Sequence, residues 1–198
     1  MEIKSLSHTS PDELFEAFEQ AFADYEVQLN KAEHLTMFKR RGFNPKASFG
    51  AFDRDKLVSF TCNGIGNFYW VRAAYDTGTG TLKDYQGRGL ATQVFEYSIP
   101  YLRELGIEEY LLEVLQHNTG ALSVYRKLGF EITREFYYFK QKNEQVDRAV
   151  KALDCYYTLK SIKISEYSSI HKFWDFEPSW QNSFEAINNT LKDFICLG

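Results

Sequence analysis

The chain has 198 residues, of which 44% are hydrophobic and 17% aromatic. That is enough apolar side chain to close one sizeable core without metals or disulfide staples, and too little length for two full domains. The formal net charge of -4 excludes a general basic field, so neither nucleic acid nor an anionic membrane is an expected partner.

Cys62, Cys155 and Cys196 form no metal-spaced pair and no even framework, and with apolar neighbours at Cys62 and Cys196 they read as core thiols in a reducing compartment. Met1 to Phe15 lacks the apolar run of a signal peptide, and no later run has the length to span a bilayer. A cytoplasmic protein is expected.

Ser10-Pro11-Asp12-Glu13 is a helix start, with Ser10 as cap and Glu13 at the capping-box position. Leu14, Phe15, Phe18 and Phe22 continue it at helical spacing. A second helix is predicted from about Gln28 to Arg41, stopped by Gly42 and Pro45. Strands at Ala47–Phe52 and Leu57–Cys62 flank the turn Asp53-Arg54-Asp55-Lys56, and Asn63-Gly64-Ile65-Gly66-Asn67 separates them from a strand at Phe68–Tyr75. Thr77-Gly78-Thr79-Gly80-Thr81 has small side chains that let another molecule approach the main chain.

From Arg88 to Leu105 the pattern is helical, closed by Gly106, with Pro100 predicting a kink or a broken last turn. Tyr110–Leu115 reads as a buried strand. Asn118 caps a short helix ended by Gly129, and a strand follows at Phe130–Phe139. Strands alternating with helices, joined by hairpins and crossovers, predict an α/β fold with a mixed sheet.

A change to polar composition after Lys140 marks a domain boundary, giving units at 1–140 and 141–198. In the second unit Ile162-Lys163-Ile164-Ser165 is similar to Ile3-Lys4-Ser5-Leu6, and Asp193 to Gly198 is similar to the strand at Ala47–Phe52. The expected reading is a helical linker and an incomplete second copy or interaction extension. A sticky edge there would favour a homodimer.

Gln86-Gly87-Arg88-Gly89-Leu90-Ala91 lies between a strand and a helix. Its glycines let backbone N–H groups converge on an anion, the helix start adds partial positive charge and Arg88 a full one, so a pyrophosphate could bind there without a metal. No Gly-Lys-Ser/Thr ends the turn, and the third glycine of a dinucleotide fingerprint is missing. The four histidines show no metal-ligand spacing.

This string resembles the Gln/Arg-x-x-Gly-x-Gly/Ala signature of the GNAT superfamily of N-acetyltransferases. A second block, Leu111 to Phe130, is similar to the family in placing Asn118, Ala121, Tyr125 and Gly129-Phe130 in order. The resemblance covers about residues 1 to 140. It implies a mostly antiparallel mixed sheet, splayed between its fourth and fifth strands and flanked by helices. In it acetyl-CoA would contact Thr79, Thr81 and Leu82 along the strand and Gln86, Gly87, Arg88, Gly89, Leu90, Ala91 and Thr92 at the turn. Asn118 and Tyr125 would complete the site. The family usually has an aliphatic residue at Thr81, a departure that a backbone contact tolerates.

The implied reaction needs a neutral amine. For a lysine-like amine, deprotonation at pH 7 costs about 4 to 5 kcal/mol, so a general base is wanted. The resemblance points to Glu113, whose alternative is pairing with Arg126 or Lys127 or facing solvent. It also makes Tyr125 the acid that protonates the leaving thiolate, the alternative being a packed aromatic. Asn118 can cap its helix and bond the pantetheine amide, and His117 is a lesser base candidate. Asp24-Tyr25-Glu26, Phe38, Phe43 and Phe136 to Tyr138 are candidates for contacting the acceptor, a small-molecule or peptide amine; as plain surface and core they need no ligand. The rival reading is a non-catalytic acyl-CoA-binding module whose tail, through Trp174, Phe176 and Trp180, anchors a partner or fills a core.

Overall fold

The computed structural model describes residues 1–25, 28–139, 141, 144, 158, 160–163 and 173–195. Two capping boxes set the first helices. Ser10 N–H donates to Glu13 and Glu13 N–H to Ser10 at the start of α1 (Pro11–Ala21), and Asn30 and Glu33 exchange the same pair of bonds at α2 (Lys31–Arg40). The predicted start of α2 at Gln28 thus moves to Lys31, directly after the residue whose side chain caps it.

Five strands form one sheet in the order β1 (Glu2–Ser5), β2 (Phe49–Asp53), β3 (Lys56–Phe68), β4 (Val71–Thr81), β5 (Glu109–Leu111). The first three junctions are antiparallel and β4–β5 is parallel. The β2–β3 turn lies where Arg54 and Asp55 predict it. The next turn does not. Asn63 to Asn67 lies inside β3, and the chain reverses at Tyr69-Trp70, both with positive φ (47° and 72°), the conformation a tight hairpin requires. The glycine at 64 serves close approach instead: a Cβ there would stand 1.9 Å from the Arg41 carbonyl oxygen.

Helix α3 (Leu90–Glu104) runs unbroken through Pro100. Its Leu90 and Val94 join Leu14, Phe38, Phe60 and Leu6 in the main core. The strand predicted to Leu115 stops at Leu111, and α4 (Thr119–Lys127) follows. No strand forms over Phe130–Phe139. The aromatic and β-branched residues of a strand are there, but a strand exists only as part of a ladder, and among the described residues this segment pairs with no neighbour; Tyr137 to Phe139 are exposed.

Part of the tail packs on the sheet. A 3-10 turn (Trp180–Asn182) leads into α5 (Phe184–Asn189) and a second such turn (Leu191–Asp193). The Trp180 ring is buried between Tyr75 (5.2 Å, 5°) and Phe68 (5.7 Å), its Nε1–H donates to the Arg41 carbonyl (3.1 Å), and the Asn67 N–H donates to Glu185 (2.9 Å). Trp180 is therefore a core residue of the sheet's outer face. The strand expected at Asp193–Gly198 begins in that 3-10 turn, and residues 196–198, like Ile164, Ser165, Cys155 and His171, lie outside the described residues. No helix among the described residues is long and apolar enough to cross a membrane.

Gly64→Ala should lower stability by about 3 kcal/mol, because the oxygen it meets is main chain and cannot rotate away. Urea unfolding measures this, and a loss under about 1 kcal/mol would show that the α2 exit yields freely.

Candidate active site

Strands β4 and β5 pair only at Ala73, Ala74 and Tyr75. Beyond Tyr75, β4 continues to Thr81 while β5 ends, so the sheet opens there. At the same point β4 carries one extra residue. Cys62 pairs with Gly78 and Asn63 with Asp76, leaving Thr77 as a bulge. The bulge resets the alternation of faces, so Asp76 and Thr79, three apart, lie side by side.

The bulge also decides where the main chain of β4 points. The Leu82 N–H donates to the Val58 carbonyl (2.9 Å). Counting back by twos along an antiparallel ladder, Gly80 and Gly78 turn their polar groups to β3, and Thr79 and Thr81 turn theirs to the open side. Gln86 Nε2 reaches the Thr81 carbonyl from that side (3.1 Å), while the Thr81 hydroxyl is held by Ser59 (2.8 Å). Leu82 itself is buried in the core.

A 3-10 turn (Lys83–Tyr85) then leads into the glycine turn. Gly87 and Gly89 both have φ 73°, which side chains disfavour, and a Cβ at Gly87 would meet nothing within 4 Å. Gln86 to Gly89 are exposed, Leu90 is buried, and Ala91 and Thr92 are half-buried. Gly89 caps α3 without a side-chain bond, which leaves the helix's first N–H groups for a ligand. Arg88 folds back, donating to the Asp84 carbonyl (2.7 Å) and covering the Tyr85 ring (5.0 Å).

On the α3/α4 face of β4, Asp76 is buried and accepts three hydrogen bonds: from Gly78 N–H (2.9 Å), the Thr79 hydroxyl (2.8 Å) and the Tyr125 hydroxyl (3.1 Å). Burial outweighs these bonds and pushes its carboxyl up to about 6. Burial, with Asp76 adding to it, raises the Tyr125 phenol well above its ordinary range, so Tyr125 keeps its proton at any working pH. Phe95 and Phe130 pack edge-on around the Tyr125 ring. Asn118 caps α4, its Oδ1 accepting from Ala121 N–H (3.1 Å), and so holds the helix that carries Tyr125.

On the opposite face, Tyr75 stacks on Trp180, and Glu113 stands exposed two residues beyond β5. Glu113 accepts from Gln181 Nε2 (3.0 Å). No ion pair joins it to Arg126 or Lys127 among the described residues. Arg41 donates to the Thr77 carbonyl and to Gln181 Oε1, both at 2.8 Å. Of the acceptor candidates, Phe38 and Phe43 stack on each other (4.2 Å) with Phe38 buried in the core, Asp24 pairs with Lys83, Phe136 to Tyr138 are exposed, and Glu26 lies outside the described residues. Asp76, Arg41 and Gln181 escape sequence reasoning. The one local signal is an acid at 76 in a run of otherwise uncharged, buried strand residues.

The model of the acetyltransferase (GNAT) family matches residues 11–130. An N-alpha-acetyltransferase MAK3 of Arabidopsis thaliana is 32% identical over 116 residues, covering 57% of this chain and 61% of that protein. N-alpha-acetyltransferase 30 of Schizosaccharomyces pombe is 30% identical over 87 residues, covering 43% and 58%. The chain thus spans less than two thirds of these relatives. An aminoglycoside acetyltransferase from an uncultured soil metagenomic sample superposes with TM-score 0.57 at 20% identity over 71% of this chain and 96% of that one. A NatC complex structure with Gag peptide and CoA superposes with TM-score 0.56 at 20% identity, over 68% and 87%.

The raised Asp76 gives a signed prediction. Between pH 4 and 6 the folded state binds more protons than the unfolded one, so this residue's contribution to stability falls as pH rises through that window. Relative to wild type, Asp76→Asn should therefore gain up to about 3 kcal/mol on going from pH 4 to pH 7, from a shift of about 2 units. Urea unfolding at both pH values checks it, and an equal gap at each would show an ordinary carboxylate.

Proposed function

Since the chain belongs to the GNAT acetyltransferase family, we propose that it moves the acetyl group of acetyl-CoA to the α-amino group of a protein or peptide. The observation that carries this reading is the placing of two proton-handling groups on opposite faces of β4, Glu113 on one and Tyr125 on the other, where the sheet opens.

The residues present fit acetyl-CoA. The N–H and C=O of Thr79 and the N–H of Thr81, turned to the open side, offer a strand edge to a pantetheine amide, with Leu82 fixing that edge from the core. Gln86 to Gly89 and the uncapped start of α3, through Ala91 and Thr92, suit the pyrophosphate. Bound there, acetyl-CoA supplies a thioester whose acyl carbon accepts an amine. Glu113 takes the proton that the amine loses and passes it to solvent, to which it is open. Tyr125 holds a proton for the departing sulfur: its hydroxyl, placed by Asp76, turns that proton from the carboxylate to the thiolate as the C–S bond breaks and afterwards takes one back from solvent. Asn118 sets the helix on which Tyr125 sits.

The choice of amine follows from magnitudes. An α-amine with a pKa near 8 costs only about 1 kcal/mol to deprotonate at pH 7, against about 4 to 5 kcal/mol for a lysine side chain. The α-amine therefore asks less of any base than a lysine would. The relatives that are named N-alpha-acetyltransferases agree with this choice.

Calorimetry should show micromolar binding of acetyl-CoA to the wild type, abolished by Gly89→Asp, which places a negative charge in the turn. No wild-type binding would refute the reading. Thiol release should be faster with a peptide bearing a free N-terminus than with the same peptide N-blocked and carrying lysine; the reverse order would replace the α-amine. Tyr125→Phe should lower kcat by about a hundredfold, and an unchanged kcat would remove Tyr125 from the chemistry.

A further inference from the structure

Gln181 lies outside the family-matched region, yet it touches the group to which base catalysis has been given. Its amide cannot be turned round. Arg41 has only donors to offer, so the atom it bonds must be the amide oxygen, and the amide NH2 then faces Glu113. Arg41 is itself anchored by its bond to the Thr77 carbonyl at the β4 bulge. Trp180, one residue earlier, is clamped between Tyr75 and Phe68 and bonded to the Arg41 carbonyl, so the backbone carrying Gln181 is fixed as well. An ordered line of donors therefore runs from Arg41 through Gln181 to one oxygen of the exposed Glu113 carboxylate, which also has the Tyr75 hydroxyl beside it.

We infer that Gln181 is a positioning residue for the acetyl transfer: the tail supplies it to orient the Glu113 carboxylate toward the incoming amine, so the tail is part of the acceptor site. This rests on the proposed function and adds a requirement that the family-matched residues alone do not meet. A carboxylate on a short exposed stretch beyond β5 samples several rotamers. The fixed Gln181 N–H, with the Tyr75 hydroxyl beside it, selects among them and leaves acceptor capacity on the carboxylate for the amine.

The test is Gln181→Glu in the full chain, assayed with acetyl-CoA and a short peptide with a free N-terminus. The substitution keeps volume and the bond from Arg41, but replaces the donor at Glu113 with a like charge. Melting temperature and acetyl-CoA affinity should match wild type, while kcat falls about tenfold. In a Glu113→Gln background the same substitution should cause no further loss, because a residue acting through Glu113 has nothing left to position. Equal kcat for Gln181→Glu and an active wild type would overturn the inference alone. So would a tenfold loss that persists in the Glu113→Gln background, since that marks a structural effect. A wild type that transfers nothing would overturn the function itself, and the inference with it.

Discussion

Thr77 has no partner of its own across β3, and the resulting change of register controls both edges and both faces of β4. Without the extra residue, strict alternation would put Thr79 and Asp76 on opposite faces. Asp76 would then lose the Thr79 hydroxyl, one of its three donors. The same shift presents the Thr79 and Thr81 main chain to the gap left by β5. The carbonyl of the bulged residue is where Arg41 attaches, so the device that opens the donor side also anchors the acceptor side. Bulges cost ladder bonds, and the Thr77 hydroxyl partly offsets this by donating to the Cys62 carbonyl (3.1 Å).

Burial is used in two opposite ways around this strand. Asp76 is pushed up to about 6 and His34, enclosed by Phe15, Phe18 and Phe38, down to about 4, in both cases chiefly because a charge out of water is unfavourable. Their effects on stability oppose each other in the same acid range. The folded state holds an extra proton at Asp76 and lacks one at His34. The whole molecule can therefore look insensitive to mild acid while two of its buried groups are not.

The glycines at 87 and 89 were legible because a positive φ leaves a mark on residue choice, and the Ser10 cap because a helix end needs a side chain of a particular kind; the Asn30 cap obeys the same rule but was passed over, so α2 was started at Gln28. Gly64 leaves the same mark for a different reason. Nothing local separates a glycine that turns a chain from one that admits the Arg41 carbonyl, so the β3–β4 reversal was misplaced. Phe130 to Phe139 has a strand's aromatic and β-branched composition and, among the described residues, no ladder, since composition records side-chain preference and pairing needs an edge. Glu113 and Tyr125 were nameable through the family's spacing. Asp76, Arg41 and Gln181 were not, because a buried acid and a through-space amide depend on contacts across 49, 36 and 68 residues.

Those separations also bear on the order in which the molecule assembles. The hydrogen bond from Trp180 to the Arg41 carbonyl spans 139 residues, so forming it means closing a loop of that size, at an entropic cost that only a finished sheet can offset. Among the described residues the glycine turn and α3 show no such late contact. During synthesis on the ribosome, the half of the cleft suited to the acyl donor would be in place well before the half suited to the amine. A nascent chain paused before residue 180 would then hold its donor and spend it slowly.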